Sequence, residues 1–247
     1  MKKYFTLLSL AVLIACSDNN DTSNSESSDG KEGSTATFIL KNNYMYVVDQ
    51  SNLNVFSLNN PENPVKVKTV DAGFNIETLY TMDDYLFIGS RNGMFIYSIK
   101  ENPETPEFVS QAQHFTACDP VVANASHAFV TLHSNTTCNA GMLNKLMIYD
   151  IQNIKTPILI SERDLLEPKG LALSGNYLFI CDKNDIVIFN ITDPKKVTVA
   201  KTIANVPAKD LIIDGNHLFA FTATSVHQFS IDPANIENIS EISVLPL

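Results

Sequence analysis

Residues 176–194 read Asn176-Tyr177-Leu178-Phe179-Ile180-Cys181-Asp182-Lys183-Asn184-Asp185-Ile186-Val187-Ile188-Phe189-Asn190-Ile191-Thr192-Asp193-Pro194. Two apolar runs flank a polar turn, and Asp193-Pro194 closes the phrase. Short runs of β-branched and aromatic residues bounded by Asn, Asp, Gly and Pro mark strands, so the phrase predicts a hairpin followed by a sharp turn. It occurs four more times. Tyr44-Met45-Tyr46-Val47-Val48 and Leu53-Asn54-Val55-Phe56-Ser57-Leu58 lead to Pro61-Glu62-Asn63-Pro64. Tyr85-Leu86-Phe87-Ile88 and Gly93-Met94-Phe95-Ile96-Tyr97-Ser98-Ile99 lead to Pro103-Glu104-Thr105-Pro106. His127-Ala128-Phe129-Val130 is followed by Leu146-Met147-Ile148-Tyr149-Asp150-Ile151 and Pro157, and His217-Leu218-Phe219-Ala220 by Val226-His227-Gln228-Phe229-Ser230-Ile231 and Asp232-Pro233.

The copies open at Tyr44, Tyr85, His127, Tyr177 and His217, with spacings of 41, 42, 50 and 40 residues. That is the length of a propeller blade. A further candidate strand precedes each phrase, as in Leu79-Tyr80-Thr81 or Leu211-Ile212-Ile213, and another follows, as in Val65-Lys66-Val67. No window carries a long helical stripe. The expected fold is all-β, a five-bladed β-propeller of four-stranded antiparallel blades, with a solenoid of the same repeats as the alternative. Each unit holds its own four strands from Ala36 to Val244, so the ring is expected to close by packing of the first blade on the last.

Outward from the repeats, the chain opens with Met1-Lys2-Lys3 and an apolar run from Tyr4 to Ile14. The run is too short to span a bilayer and reads as a signal sequence. It ends in Leu13-Ile14-Ala15-Cys16, which resembles the lipobox of bacterial lipoproteins, whose cysteine carries the lipid. The resemblance implies a signal peptide over 1–15, a lipid-anchored tether over 16–34 and the propeller over 35–247. The tether lacks large apolar side chains between Ser17 and Ser34, so it cannot offset its own ordering entropy. Its opening, Ser17-Asp18-Asn19-Asn20-Asp21, is similar to the surface-export signals of Bacteroidetes lipoproteins. That implies the outer face of the outer membrane in preference to the periplasmic one. The formal net charge is −10 and becomes more negative by two without Lys2 and Lys3, which argues against nucleic acid as a partner. No second apolar run of membrane-spanning length follows, so the N-terminal lipid is the expected membrane contact.

The strand phrases resemble the LVIVD-repeat family of bacterial propeller lipoproteins, through Tyr46-Val47-Val48-Asp49 and Phe179-Ile180-Cys181-Asp182. The likeness runs over about residues 35 to 235. In the third unit, Ala117-Cys118-Asp119-Pro120-Val121-Val122 with Thr137-Cys138 looks like the family's cysteine-bearing blade. The family implies a fold and a location but no activity.

Propellers bind at the mouth where their innermost strands begin. Eight residues before each opening residue stand Ala36, Glu77, Asp119, Lys169 and Lys209, while the next same-phase positions are Phe38, Leu79, Val121, Leu171 and Leu211. Glu77, Asp119, Lys169 and Lys209 are therefore expected to ring one mouth of the channel, as a site for a polar ligand or peptide terminus or as a ring of mutual ion pairs. Asn75, Glu167 and Asp210 stand beside them. Cys118 and Cys138, on adjacent segments of one blade in an oxidising compartment, are expected to form a disulfide, and Cys181 to be a buried thiol. A zinc site using His114, His127 or His133 with these thiols is the alternative, without regular ligand spacing to support it. His127 and His217 occupy the repeat position held elsewhere by tyrosine, which marks them as packing residues.

There is no G-x-S-x-G, H-E-x-x-H, P-loop or calcium-loop pattern in the sequence, and no cofactor is expected. The residues thus favour a binding scaffold for a protein, peptide or glycan. The alternative is a metal-dependent, lactonase-like hydrolase using Glu77 and Asp119, against which Lys169 and Lys209 would repel a cation.

Overall fold

The computed structural model describes residues 33–113, 120–133 and 143–247. Cys16, His114, Cys118, Asp119 and Cys138 lie outside these residues, as do the expected signal peptide and nearly all of the tether. The described residues form five four-stranded antiparallel sheets, each made of consecutive strands in simple up-and-down order. The first holds β1 (Phe38–Lys41), β2 (Tyr44–Val48), β3 (Asn52–Ser57) and β4 (Val65–Asp71), and the second β5 (Ile76–Met82), β6 (Tyr85–Ser90), β7 (Gly93–Ser98) and β8 (Glu107–Gln113). The third holds β9 (Val121–Ala123), β10 (His127–Leu132), β11 (Lys145–Asp150) and β12 (Ile158–Asp164). The fourth holds β13 (Pro168–Ser174), β14 (Tyr177–Asp182), β15 (Asp185–Asn190) and β16 (Thr198–Ile203), and the fifth β17 (Asp210–Asp214), β18 (His217–Phe221), β19 (Ser225–Ser230) and β20 (Ser240–Pro246). The chain is a five-bladed β-propeller whose innermost strands are β1, β5, β9, β13 and β17.

Local chemistry explains why the phrase folds five times. The hairpin from β1 to β2 turns at Asn42 and Asn43, both with positive φ, and the same turn uses Asp83, Gly175 and Gly215 in later blades. Such residues tolerate the left-handed backbone that tight hairpins require. Each loop from the third strand to the fourth opens with an Asx turn. The side chains of Asn60, Asn102, Asn153, Asp193 and Asp232 accept from the amide two residues on. Each outer hairpin also bulges at one equivalent aromatic, namely Phe56, Tyr97, Tyr149, Phe189 and Phe229. A bulge bends the strand and adds twist, as a blade requires.

The core consists of four apolar clusters, one in each junction between consecutive blades. Among the described residues no such cluster joins the fifth blade to the first, which corrects the expectation that the ring closes by packing. Leu79, Val121, Leu171 and Leu211 are fully buried, but Phe38 at the equivalent place in β1 is 54% exposed because no blade covers it. Polar stitching stands there instead. Ser34 Oγ donates to Asp210 Oδ1 at 3.0 Å and accepts from the Leu171 amide at 2.8 Å, while Thr35 donates its hydroxyl to Asp210 Oδ2 at 2.6 Å. Residues 33–35 thereby strap the start of the first blade to the fourth and fifth.

Candidate functional site at the channel mouth

Glu77, Lys169 and Lys209 come together, with Thr35, Thr78, Pro120 and His133, around one cavity of about 380 Å³. Thr35 precedes β1, Pro120 precedes β9, and every blade contributes to the wall. Ala36 lies beside Thr35, and its carbonyl accepts from the Leu79 amide at 2.8 Å, holding the first two inner strands together. Bulges at the starts of β5 and β13 interrupt the register around Glu77 and Lys169. Freed from the ladder, these residues are re-aimed at the mouth.

The charged groups pair locally as well as facing the cavity. Arg91 Nε donates to Glu77 Oε1 at 3.0 Å, and Lys169 Nζ lies 3.2 Å from Glu167 Oε1. Exposed pairs of this kind contribute little to stability. Lys209 has no ion pair among the described residues. The carboxylate of the neighbouring Asp210 is turned to the strap, where it accepts from Ser34 and Thr35. Burial pushes the Asp210 pKa up, and hydrogen bonds from Thr35, the Leu211 amide and Ser34 hold the rise back. Glu167 is positioned through its amide, which donates to the buried Asp182 at 2.6 Å. Asn75 adopts a positive φ, and its carbonyl accepts from the Arg91 amide at 3.2 Å.

His133 also lines the wall. Its Nδ1 is buried with no hydrogen-bond partner among the described residues; burial lowers the imidazole pKa, the charge of Glu167 opposes the fall, the Lys169 charge adds to it, and a bond with Asn144 opposes it. Its place in the repeat, six residues after the opening residue, is also that of Arg91 and Lys183. From sequence, His133 stands out only as a zinc-ligand candidate, and nothing marks Thr35 or Thr78 as mouth residues. Counting forward six positions, as well as back eight, would have found the second tier.

No group of three or more His, Cys, Asp or Glu side chains is placed for a metal among the described residues. His127 and His217 lie against Phe129 and Phe219, each with ring centroids 6.4 Å apart, as Tyr44 lies against Tyr46 at 6.3 Å. Cys181 is a free, buried thiol whose pKa is raised by burial.

One hydrogen-bond chain has the order of an acyl-transfer relay. Ser225 Oγ is 3.0 Å from His227 Nε2, and His227 Nδ1 is 2.7 Å from Glu241 Oε1. The equivalent positions in the first blade are Asn52, Asn54 and Lys66, with Asn54 accepting from Lys66 Nζ at 2.8 Å and both asparagines donating to Asp49. The chain in the fifth blade is therefore this turn's structural network written in other residues.

The family model described as LVIVD repeat matches residues 32–72 and 168–203, the first blade and the fourth. No curated protein matches the sequence. Among solved structures, a functionally unknown protein from Desulfotomaculum acetoxidans DSM 771 is similar at TM-score 0.67 and 13% identity, over 82% of this chain and 66% of that one. The periplasmic gluconolactonase PpgL of Pseudomonas aeruginosa is similar at TM-score 0.63 and 14% identity, over 83% of this chain and 68% of that one. BamB from Moraxella catarrhalis follows at TM-score 0.55 and 12% identity, over 73% and 53%. This chain thus spans about two thirds of the length of the first two and about half of the third. At such identities the likeness is one of fold. The matched repeats fall on two of five blades built on one pattern, and they support assigning these blades to the LVIVD repeat.

Proposed function

We propose that this propeller is a lipid-anchored scaffold of the cell envelope, held through Cys16 on the outer face of the outer membrane, that binds a partner at its channel mouth. The observation that carries the reading is the cavity to which all five blades contribute and into which Glu77, Lys169 and Lys209 converge. A concave site with a few convergent polar groups is the usual form of a ligand site. The mixture of one carboxylate and two ammonium groups suits a zwitterionic or amphoteric ligand, such as a peptide terminus or a charged glycan. It suits a hydrolytic metal centre poorly, because two lysines stand where a cation would have to enter.

Two measurements test this. Peptide and oligosaccharide panels screened by thermal shift should give ligands whose effect disappears in Lys169→Met and Lys209→Met but persists in Lys195→Met, a lysine in the distant loop between β15 and β16. Ligands indifferent to both mouth variants would move the site elsewhere. For the anchor, Cys16→Ser should transfer the protein from the membrane fraction to the soluble one, and an unchanged membrane fraction would remove the lipid from the proposal.

A further inference from the structure

Inside the chain every blade junction is filled in one way. The face of the first blade that looks toward its successor carries Ile39, Tyr46, Val48, Leu53 and Val55, which pack against Leu79, Leu86, Ile88 and Tyr97 of the second. The same junction recurs three times. The register of the fifth sheet puts Ile212, Phe219, Phe221, Val226 and Leu245 on its successor-facing side. Ile212, Phe219, Phe221 and Val226 are only half-buried, and Leu245 is 58% exposed. The pattern of the four filled junctions therefore continues to a sheet face that no apolar cluster of the described residues covers.

We propose that this face of the fifth blade is the contact between two copies of this chain, related by a two-fold axis parallel to the channel. The chain's own tether does not suit the face, since residues 17–32 contain no large apolar side chain. The tether enters the fold at Gly33, beside Asp210 at the mouth. An axis parallel to the channel keeps both mouths, and so both tethers, on one side. That orientation, though not the contact, rests on the anchor at Cys16.

Charge selects the fifth blade over the first. The first blade's uncovered face carries Lys66, whose ammonium lies 5.5 Å from the Phe56 ring, and a two-fold contact there would bring Lys66 toward its own copy. On the fifth blade the centre of the face is neutral, with Ser243 Oγ donating to Gln228 at 3.2 Å.

Size sets the strength. Six-residue strands about 20 Å long, four abreast over about 19 Å, give roughly 400 Å² on each side and on the order of 800 Å² in all. That lies below the range of stable specific pairs, so the contact is a weak one. Confinement of both copies to one membrane raises their effective concentration and compensates.

The test uses the full lipidated chain in vesicles, carrying Gln228→Cys and treated with a short bis-maleimide. A cross-linked species of twice the chain mass is expected, absent from the chain without that cysteine. Adding Phe219→Asp should lower the yield at least about ten-fold, since a charge would be desolvated at the contact. Leu245→Glu, at an exposed position where the fold is not at stake, should act likewise. No product, equal product from Val47→Cys on the first blade, or a product containing another protein would overturn the proposal. Should Cys16 prove to carry no lipid, which fractionation reports separately, the same variants at high concentration in solution test the contact alone.

Discussion

Replacing Gly170 by alanine is the sharpest test of how the inner strands meet. Gly170 lies in the bulge of β13, and its amide donates to the Lys209 carbonyl at 3.0 Å, joining the fourth and fifth blades. A Cβ there would come within 2.2 Å of Asp210 Oδ1, 2.7 Å of Asp210 Cα and 2.8 Å of the Lys209 carbonyl oxygen. The last two atoms are backbone, so no side-chain rotation relieves the clash. The blades must separate, which weakens the Gly170 hydrogen bond and displaces the carboxylate that holds Ser34 and Thr35. Overpacking costs about 1–3 kcal/mol and a lost hydrogen bond about 1 kcal/mol, so a loss of about 3 kcal/mol is expected. In a domain of this size that lowers the melting temperature by roughly 6–12 °C. Gly175→Ala is the comparison, because nothing lies within 4 Å of its Cβ and only its φ of +54° is unfavourable. It should cost about 1–2 kcal/mol. Urea and thermal unfolding of the two variants decide the matter. A Gly170→Ala protein no less stable than Gly175→Ala would refute the close approach of β13 to Lys209 and Asp210.

Ser34→Ala removes the acceptor of the Leu171 amide and a donor to Asp210, and should cost about 1–3 kcal/mol, with faster amide exchange at Leu171 as the local signature. Asp210, its pKa raised by burial, takes up a proton more readily folded than unfolded, so its contribution to stability grows as pH falls from neutral through that raised value; Asp210→Asn should flatten this part of the pH–stability curve. Asp49 has the opposite sign. The amides of Ser51 and Asn52 lower its pKa to about 2, so its contribution is present above the usual carboxylate range and lost as pH falls through about 2, and a carboxyl carbon titration by NMR with an ordinary midpoint would contradict the turn geometry. Non-reducing peptide mapping should join Cys118 to Cys138, and reduction should cost on the order of 3 kcal/mol for a loop of this length.

The blades were legible in the sequence because each is a local object. Hairpins closed by Asn42-Asn43 or Gly175-Asn176, strands such as Tyr177–Asp182, and Asx turns at Asn60 or Asp193 are all set by residues within a few positions of one another. Repetition made them recognisable even where one copy is weak. Three of the four charged residues expected at the mouth line the cavity, because propeller symmetry carries an equivalent sequence position to an equivalent place in space. His133 escaped the same reasoning since it belongs to the next strand's end, and its neighbourhood depends on how two turns converge, which no count along one strand reports.

Closure was not legible, for a physical reason. Four residues of the first blade's uncovered face, Phe38, Met45, Val47 and Phe56, are as apolar as their buried equivalents Leu79, Leu86, Ile88 and Tyr97 in the second, so composition says that a neighbour is wanted without saying which one. What secures the start of the ring is instead a polar strap whose partners stand 137 and 176 residues away, Ser34 with Leu171 and with Asp210. Such pairs carry no sequence periodicity, and Asp210 reads along the chain as an ordinary strand-edge acid. A strap of charge and hydroxyl at the mouth leaves the outer faces free of the constraint that closure by packing would impose. The first and last blades can therefore keep faces of the ordinary inter-blade kind open, and the fifth, neutral at its centre, is the one suited to meet its own copy.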